Sequence, residues 1–561
     1  MLYIRDFFQK HILLVDAVLL IFGFLFLLWK IPYGSYMDDQ AYIIESSQRL
    51  YLGDALLVDD WFPAQLVGFI NLPFFVLWMK IQGSVEGIDL FYRYSYLFLW
   101  TVEIIVFYLF MRRRYPKSPY LGIGCLYLYL FTSLDQMTLS YNFWAYGMLL
   151  MVIALQLCCR SVKIRDFWTG CFLAIAILGN PYLLLLFILG WLISAVHDDA
   201  VHPDKTYSWL RRMFRISLGI VPVFLVFVLF VFSRASLSEV LTNVPYLFQR
   251  DGYQQRPFYQ YVIQPLIVKY GPLLLEVCLP VMVVSAFDPK KEKRALFYLA
   301  IDYSAIAITL IELVRRNMYP GFNYIMLPFA FLAAEFSILL GRMNKEILFI
   351  DVIGLVYGAV LLYSSDLGIA SMIIGFSLIG FTLFLQLDKL NFPNSKKQTV
   401  YLIASAMLIM LQMSGEIYTR YRRSYQDKTI EHLNTVISTG AMKGVITTEK
   451  RARDYETILS EARLATSTLN KDDPVLILLS PSQLYLDLSV KVGAYDTYPE
   501  ETDQRIIEIL QQYYQIHPEN YPKMAILKKE NGKYNPAFLE LFKNRTISLK
   551  ETDNALYVQL K

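Results

Sequence analysis

Apolar runs of about 18–22 residues recur along this chain, and each is long enough to cross a hydrocarbon core of about 30 Å. The 561 residues are 56% hydrophobic, 16% aromatic and only 18% charged, with mean hydropathy +0.40. A soluble domain holds about 45–50% apolar and about 25% charged residues. The runs therefore define a polytopic α-helical membrane protein. The first, residues 12–31, is too long for a cleaved signal peptide and no small-residue cleavage site follows it, so it reads as a retained anchor. The five cysteines (Cys125, Cys158, Cys159, Cys171 and Cys278) fall in or beside hydrophobic segments and show no zinc-site spacing. They read as small buried hydrophobes.

Basic residues set the expected topology, because Lys and Arg concentrate in short cytoplasmic loops. The runs at 112–117, 160–165, 205–215, 290–294 and 389–397 should share one side, so each neighbouring pair must enclose an even number of crossings. Residues 166–196 then form two helices broken at "GNPY" (179–182), where Pro181 lacks a backbone donor. By the same argument "PAQLVGFINLPFFVLWMKIQG" (63–83) does not cross. It reads as an interfacial or re-entrant helix inside one outer loop, residues 34–88, with Trp78 and Lys80 near the headgroups. Spanning helices are expected near 12–32, 90–110, 120–133, 142–159, 166–179, 181–197, 213–233, 265–287, 295–313, 322–341, 345–364, 368–387 and 398–414, about thirteen in all. This puts the N-terminus in the cytoplasm and the C-terminus outside, in the plasma membrane.

Residues 1–414 are thus read as the transmembrane domain and 415–561 as a small extracytoplasmic α/β domain. In the latter, "TTEKRARDYETILSEARLATSTL" has helical periodicity with Thr448 as a candidate N-cap. "DPVLILL" (473–479) and "KMAIL" (523–527) read as short buried strands, with the amphipathic helix "TDQRIIEILQQYY" (502–514) between them. "TISLK" and "ALYVQL" close the chain as alternating strands.

The outer loop carries the functional signal. "YMDDQAYIIESSQRLYLGDALLVDDWFP" (36–63) holds six carboxylates against one arginine. A solvated acidic face is the plain explanation. However, Asp38 and Asp39 follow the first helix within a few residues, which holds them at the membrane surface. The stretch continues as an amphipathic helix (Tyr42, Ile43, Leu50, Tyr51) and returns a second pair, Asp59 and Asp60, before Trp61. Paired carboxylates so held could bind a divalent cation or supply a general base, and they raise one another's pKa.

The chain also resembles the polyprenyl-phosphate-sugar-dependent glycosyltransferases of the GT-C fold, in particular bacterial family 39-like membrane proteins. The resemblance rests on "DD" (38–39), "LYLGD" (50–54), "VDDWFPAQL" (58–66), Arg93, "RRNMYPGFNYIMLPF" (315–329) and "STGAMKGVITT" (438–448). It implies an inverting transferase that moves a sugar from a polyprenyl-phosphate donor to a glycan, lipid or protein acceptor of the cell envelope. Asp38 or Asp39 would activate the acceptor hydroxyl, and Arg315 and Arg316, with Arg93 and Arg256 behind them, would bind the lipid phosphate. Asp59, Asp60 and Trp61 would shape the substrate site. A Mg or Mn ion on Asp38 and Asp39 stays open, since some members use a cation and others do not. The pair is Asp-Asp, unlike the Asp-Glu of protein mannosyltransferases, and the tail lacks the "WWD" motif of oligosaccharyltransferases. The expected partners are the lipid-linked donor, the acceptor and membrane lipid, with no nucleic acid.

Rivals from other classes are a transporter or flippase, a polysaccharide polymerase or ligase, and a non-catalytic envelope scaffold. Intramembrane Glu103, Glu276, Asp302, Glu335 and Asp351 suit a transporter, but they are scattered, and no internal repeat with paired broken helices accompanies them. Outer-loop Tyr246, Tyr253, Tyr259 and Tyr319 could stack on sugar rings.

Overall fold

The computed structural model describes residues 11–62, 64–131, 136–188, 208–248, 345–364, 371–387, 413–478, 483–498, 503–528, 535–543 and 545–561, with isolated positions at 259, 260, 264, 406, 409 and 410. The crossings expected at 265–287, 295–313 and 322–341 lie outside the described residues, as does most of that at 398–414.

The first part is helical: α1 (Ile12–Lys30), α2 (Met37–Leu52), α3 (Leu66–Gln82), α4 (Ile88–Arg114), α5 (Leu121–Leu130), α6 (Tyr141–Cys158), α7 (Val162–Gly179), α8 (Ser208–Phe232), α9 (Leu237–Asn243), α10 (Lys345–Ser364) and α11 (Ile373–Leu387). Among the described residues five helices are long and apolar enough to cross a membrane: α1, α4, α6, α8 from Leu210 and α10 from Glu346. The exposed side of α1 is entirely greasy, with Leu13, Leu14, Val18, Ile21 and Leu25 all more than half exposed. Such a surface is stable only against lipid or further protein. The class is a multi-pass helical membrane protein.

The helix ends fall into two sets. At one, the basic runs gather around buried acids. Asp16 of α1 takes the Arg112 guanidinium and the Tyr108 hydroxyl (2.7 Å), both from α4. Asp166 at the start of α7 takes Arg215 of α8 at 2.9 Å, and Arg212 reaches Gln156 at the end of α6 at 2.8 Å. Arg114 and Tyr115 meet Glu346 at the start of α10. The cationic stretches near 112, 160 and 212 therefore share one end of the bundle. An uncompensated buried ion costs about 3–5 kcal/mol, which makes these acids pins for the helix ends.

At the opposite end sits the tail. The linker from α1 to α2 pairs with it directly: Ile446 N–H donates to Pro32 O at 2.7 Å and Gly34 N–H to Ile446 O at 2.8 Å. α2 terminates at Gly53, whose φ of 115° is a left-handed cap open to glycine. α3 crosses α2 so closely that a Cβ on Gly68 would lie 2.6 Å from Ser46 Cβ. The 17 residues of α3 span about 25 Å. The chain just before it bonds to the tail (Trp61 N–H to Tyr495 O, 2.8 Å), and so does the chain just after it (Gly87 N–H to Gly440 O, 3.0 Å). With both flanks on the tail, α3 lies along it rather than pointing away.

The tail holds a two-stranded ribbon, β1 (Thr435–Val436) with β2 (Ile446–Thr447), and a five-stranded sheet ordered β4-β3-β5-β7-β6. Its strands are β3 (Pro474–Leu478), β4 (Lys491–Val492), β5 (Met524–Lys528), β6 (Thr546–Glu551) and β7 (Ala555–Leu560). β3 runs parallel to both β4 and β5, while β7 is antiparallel to β5 and β6. The parallel β3–β5 pair needs a crossover, which carries α14 (Leu484–Leu488) and α15 (Asp503–Ile516). These follow α12 (413–422) and α13 (Glu449–Thr466) in chain order. Thr448 caps α13 by accepting from Arg451 N–H at 3.3 Å. Val475, Leu476, Ile526, Val558, Leu510 and Tyr513 form the core between sheet and helices, and Trp61 of the outer loop is built into it.

Candidate functional site

The acidic loop lies at the tail end of the bundle, where the ends of α1, α4 and α6 meet the start of the tail. Asp38 occupies the first turn of α2, and its side chain lies outside what the structure describes. Asp39 is half-buried beside it. Its Oδ2 takes the Tyr425 hydroxyl and the Gln426 amide (2.7 Å), both from the stretch just past α12. Gln136, before α6, donates to the Asp39 carbonyl at 2.9 Å. Two donors on one oxygen fix the direction of the carboxylate.

Gln136 also lines a cavity bounded by Tyr96 and Trp100 of α4, Ser140, and Asn142 and Tyr146 of α6. Its walls combine aromatic faces with hydroxyl and amide groups, as sites for polar ligands do. Arg420 of α12, 2% exposed, donates to Leu130 O at 2.8 Å and lies within electrostatic range of the Tyr96 hydroxyl.

Arg93 is fully buried one turn into α4. Its Nε donates to Gln40 Oε1 (2.9 Å), its Nη1 to Gly34 O (2.8 Å) and Ile31 O (3.2 Å), and its plane lies 3.8 Å over the Tyr36 ring. Nη2 has no hydrogen-bond partner among the described residues. Arg93 thus ties down the linker that delivers Asp38 and Asp39. Gln40 completes the tie by donating to Asp89 O at 2.9 Å.

The second acidic pair has different company. Arg49, the one arginine of the stretch, is 2% exposed and bonds to Asp54 at 2.7 Å, with Asp60 at 3.7 Å. Burial pushes the Asp54 carboxyl up to about 6, against the opposing pull of Arg49. Asp59 takes Ala55 N–H at 2.6 Å and Asn520 at 3.2 Å. Asp60 caps its own turn through Phe62 N–H at 2.9 Å. Trp61 donates to Asn243 Oδ1 at 3.0 Å and stacks on Tyr246 at 4.4 Å. Asp59, Asp60 and Trp61 therefore form the seam between loop and tail, whereas Asp39 faces the stretch leaving α12.

Arg315 and Arg316 lie outside the described residues, as do Arg256, Tyr253 and Tyr319. The sequence reading did not single out Tyr425, Gln426, Gln136 or Arg420, whose sequence distance from the loop gives no signal. Arg49 did leave one: it is the lone cation among six acids.

No family model and no curated protein matches the chain. Among solved structures it is similar to ArnT from Cupriavidus metallidurans bound to undecaprenyl phosphate, with 16% identity, 98% of each chain covered and a TM-score of 0.42. It is also similar to the archaeal oligosaccharyltransferase AglB from Archaeoglobus fulgidus in complex with an inhibitory peptide and a dolichol-phosphate. That likeness has 10% identity, covers 93% of this chain and 70% of that one, and has a TM-score of 0.47. Likenesses at this level carry no argument about chemistry, and the functional reading rests on the chain's own residues.

Proposed function

We propose that the protein is a GT-C-type membrane glycosyltransferase that moves a sugar from a polyprenyl-phosphate donor to a cell-envelope acceptor on the outer face of the membrane. The observation that carries this is the setting of Asp39: a fixed, half-buried carboxylate at the tail end of the bundle, on a residue whose backbone carbonyl accepts from Gln136, itself part of the wall of a polar and aromatic cavity. In this reading Asp38 or Asp39 accepts the proton of the acceptor hydroxyl as that oxygen attacks the anomeric carbon. The lipid phosphate departs with its charge met by Arg315 and Arg316. Arg93 acts as a positioning residue for the acidic pair, and Asp59, Asp60 and Trp61 shape the site by docking the loop on the tail. The N-terminus is cytoplasmic, the 1–414 domain spans the plasma membrane, and the 415–561 domain is extracytoplasmic. If transfer proves cation-dependent, Asp38 and Asp39 are the hard oxygen donors that a Mg or Mn ion would take.

The test is sugar transfer from a polyprenyl-phosphate donor by purified protein in nanodiscs. Asp38→Asn and Asp39→Asn should separate, with the base variant losing turnover and still binding donor. Transfer by both at the parent rate would sink the reading and return the loop to a solvated face. A reporter after residue 414 should appear outside the cytoplasm and one within 290–294 inside; a cytoplasmic tail contradicts outer-face action.

A further inference from the structure

A second cluster of ligating atoms lies where the loop's return meets the tail. Asp59, His517 and Glu519 each present one ligand atom, all within 4.8 Å of one another. His517 Nδ1 is 3.2 Å from Glu519 Oε1 and 3.9 Å from Asp59 Oδ1.

The hydrogen bonds around the imidazole define what this cluster lacks. The Trp61 indole N–H can only donate, and it donates to Asn243 Oδ1 at 3.0 Å. The Asn243 amide nitrogen donates to Glu239 O at 3.0 Å, so both bonds agree on which end of that amide is oxygen. His517 Nε2, 2.9 Å from the same oxygen, must therefore carry its proton. In a neutral imidazole Nδ1 then holds a lone pair. With Nδ1 unprotonated, that lone pair would face two carboxylates, on a side chain only 7% exposed. Apart from Asn520 Nδ2, which donates to Asp59 Oδ1 at 3.2 Å, the described residues bring no donor among these three acceptors, so the arrangement calls for a cation.

A proton on Nδ1 would satisfy Glu519 alone, because 3.9 Å to Asp59 is beyond a hydrogen bond. A metal serves all three. Ligand atoms about 2.0–2.2 Å from a tetrahedral zinc lie about 3.3–3.5 Å apart, between the two separations found. The outer shell is already built. Histidines that bind metals usually give their other N–H to a fixed acceptor, as His517 does to Asn243. Asp59 is oriented by Ala55 N–H at 2.6 Å. Glu519, 59% exposed, leaves an open side for entry and for a water ligand.

We propose that Asp59, His517 and Glu519 bind one divalent transition metal of the zinc class, which clamps the outer loop to the tail. One imidazole nitrogen and two carboxylates suit zinc better than magnesium or calcium, which take oxygen ligands. The site is separate from Asp38 and Asp39 and does not depend on the transferase reading.

The experiment uses tag-free full-length protein in nanodiscs, stripped with chelator and titrated with Zn²⁺ and Co²⁺. One equivalent should bind per chain, Co²⁺ should give a visible absorption band of low coordination number, and Zn²⁺ should raise the melting temperature. Glu519→Gln, at the exposed rim, should melt like the stripped parent and bind at least about 10-fold more weakly, since losing a direct ligand costs no less than the about 10–100-fold of losing an outer-shell partner. His517→Gln should abolish the cobalt band. Absence of saturable binding overturns the proposal, as does a cobalt band unchanged in His517→Gln. So does stabilisation on lowering pH with no response to metal, which would assign the position to a proton.

Discussion

The two acidic pairs of the outer loop look alike in sequence and differ in everything around them. Asp39 is met by neutral donors, Tyr425 and Gln426, from a stretch far away in the chain. Asp60 is met by Arg49, Asp59 by backbone and the tail, and both belong to a packed seam around Trp61. A carboxylate neutralised by a buried guanidinium is held for structure, because removing either partner leaves an unpaired charge. The contacts described for Asp39 are a hydroxyl and an amide, which orient a carboxylate without cancelling its charge. Partners, and not the acids themselves, separate a candidate chemical group from a fastener.

The sharpest way to break this contrast is to neutralise the pairs in turn. Asp39→Asn should lower transfer by about 10²–10⁴-fold, the usual worth of a general base, if Asp39 rather than Asp38 is the base. Its melting temperature should change little. Arg49→Met should do the reverse to the fold, costing about 3–5 kcal/mol by stranding Asp54 and Asp60, as read from thermal or denaturant unfolding. Equal stability losses in the two variants would erase the distinction.

A smaller effect is expected from the seam where the tail meets α4. Asp487 of α14 is buried, and burial pushes its carboxyl up to about 6 from 3.8 although Tyr455 and Ala441 donate to it. Between those values the folded protein binds more protons than the unfolded chain, so stability falls as pH rises from about 4 to about 6. Asp487→Asn should flatten that part of the melting curve; an unaltered slope would place its cause elsewhere. The smallest effect should come from the half-exposed Lys443–Glu86 pair at 3.0 Å on the same seam. Glu86→Gln should cost no more than about 1 kcal/mol, the usual ceiling for an exposed pair.

What was legible in the sequence follows from the range of each signal. The apolar runs and the basic clusters are local, and the helix ends at Arg112, Arg165 and Arg215 gather at one side of the bundle as the charge pattern requires. The segments read as strands at 473–479 and 523–527 lie at β3 and β5, where short β-rich runs have one geometry open to them. Parity of crossings, an argument about the whole chain, made 63–83 a non-crossing helix, and the structure bonds both flanks of α3 to the tail. Contacts between remote segments were not legible. Asp16 with Arg112, Asp39 with Tyr425, and Asp59 with His517 depend on tertiary packing that no spacing encodes. Trp61 illustrates the limit: its place beside two acids marked it as a residue shaping the substrate site, and nothing local showed that it sits in the tail core with its N–H committed to Val58 and Asn243.

The most direct test of the central claim is a cryo-EM structure of the protein in nanodiscs with a polyprenyl-phosphate. The account predicts phosphate density at the tail end of the bundle, between Asp39 and the cavity lined by Tyr96 and Asn142. Phosphate density at the basic end, around Arg112 and Arg215, would contradict it.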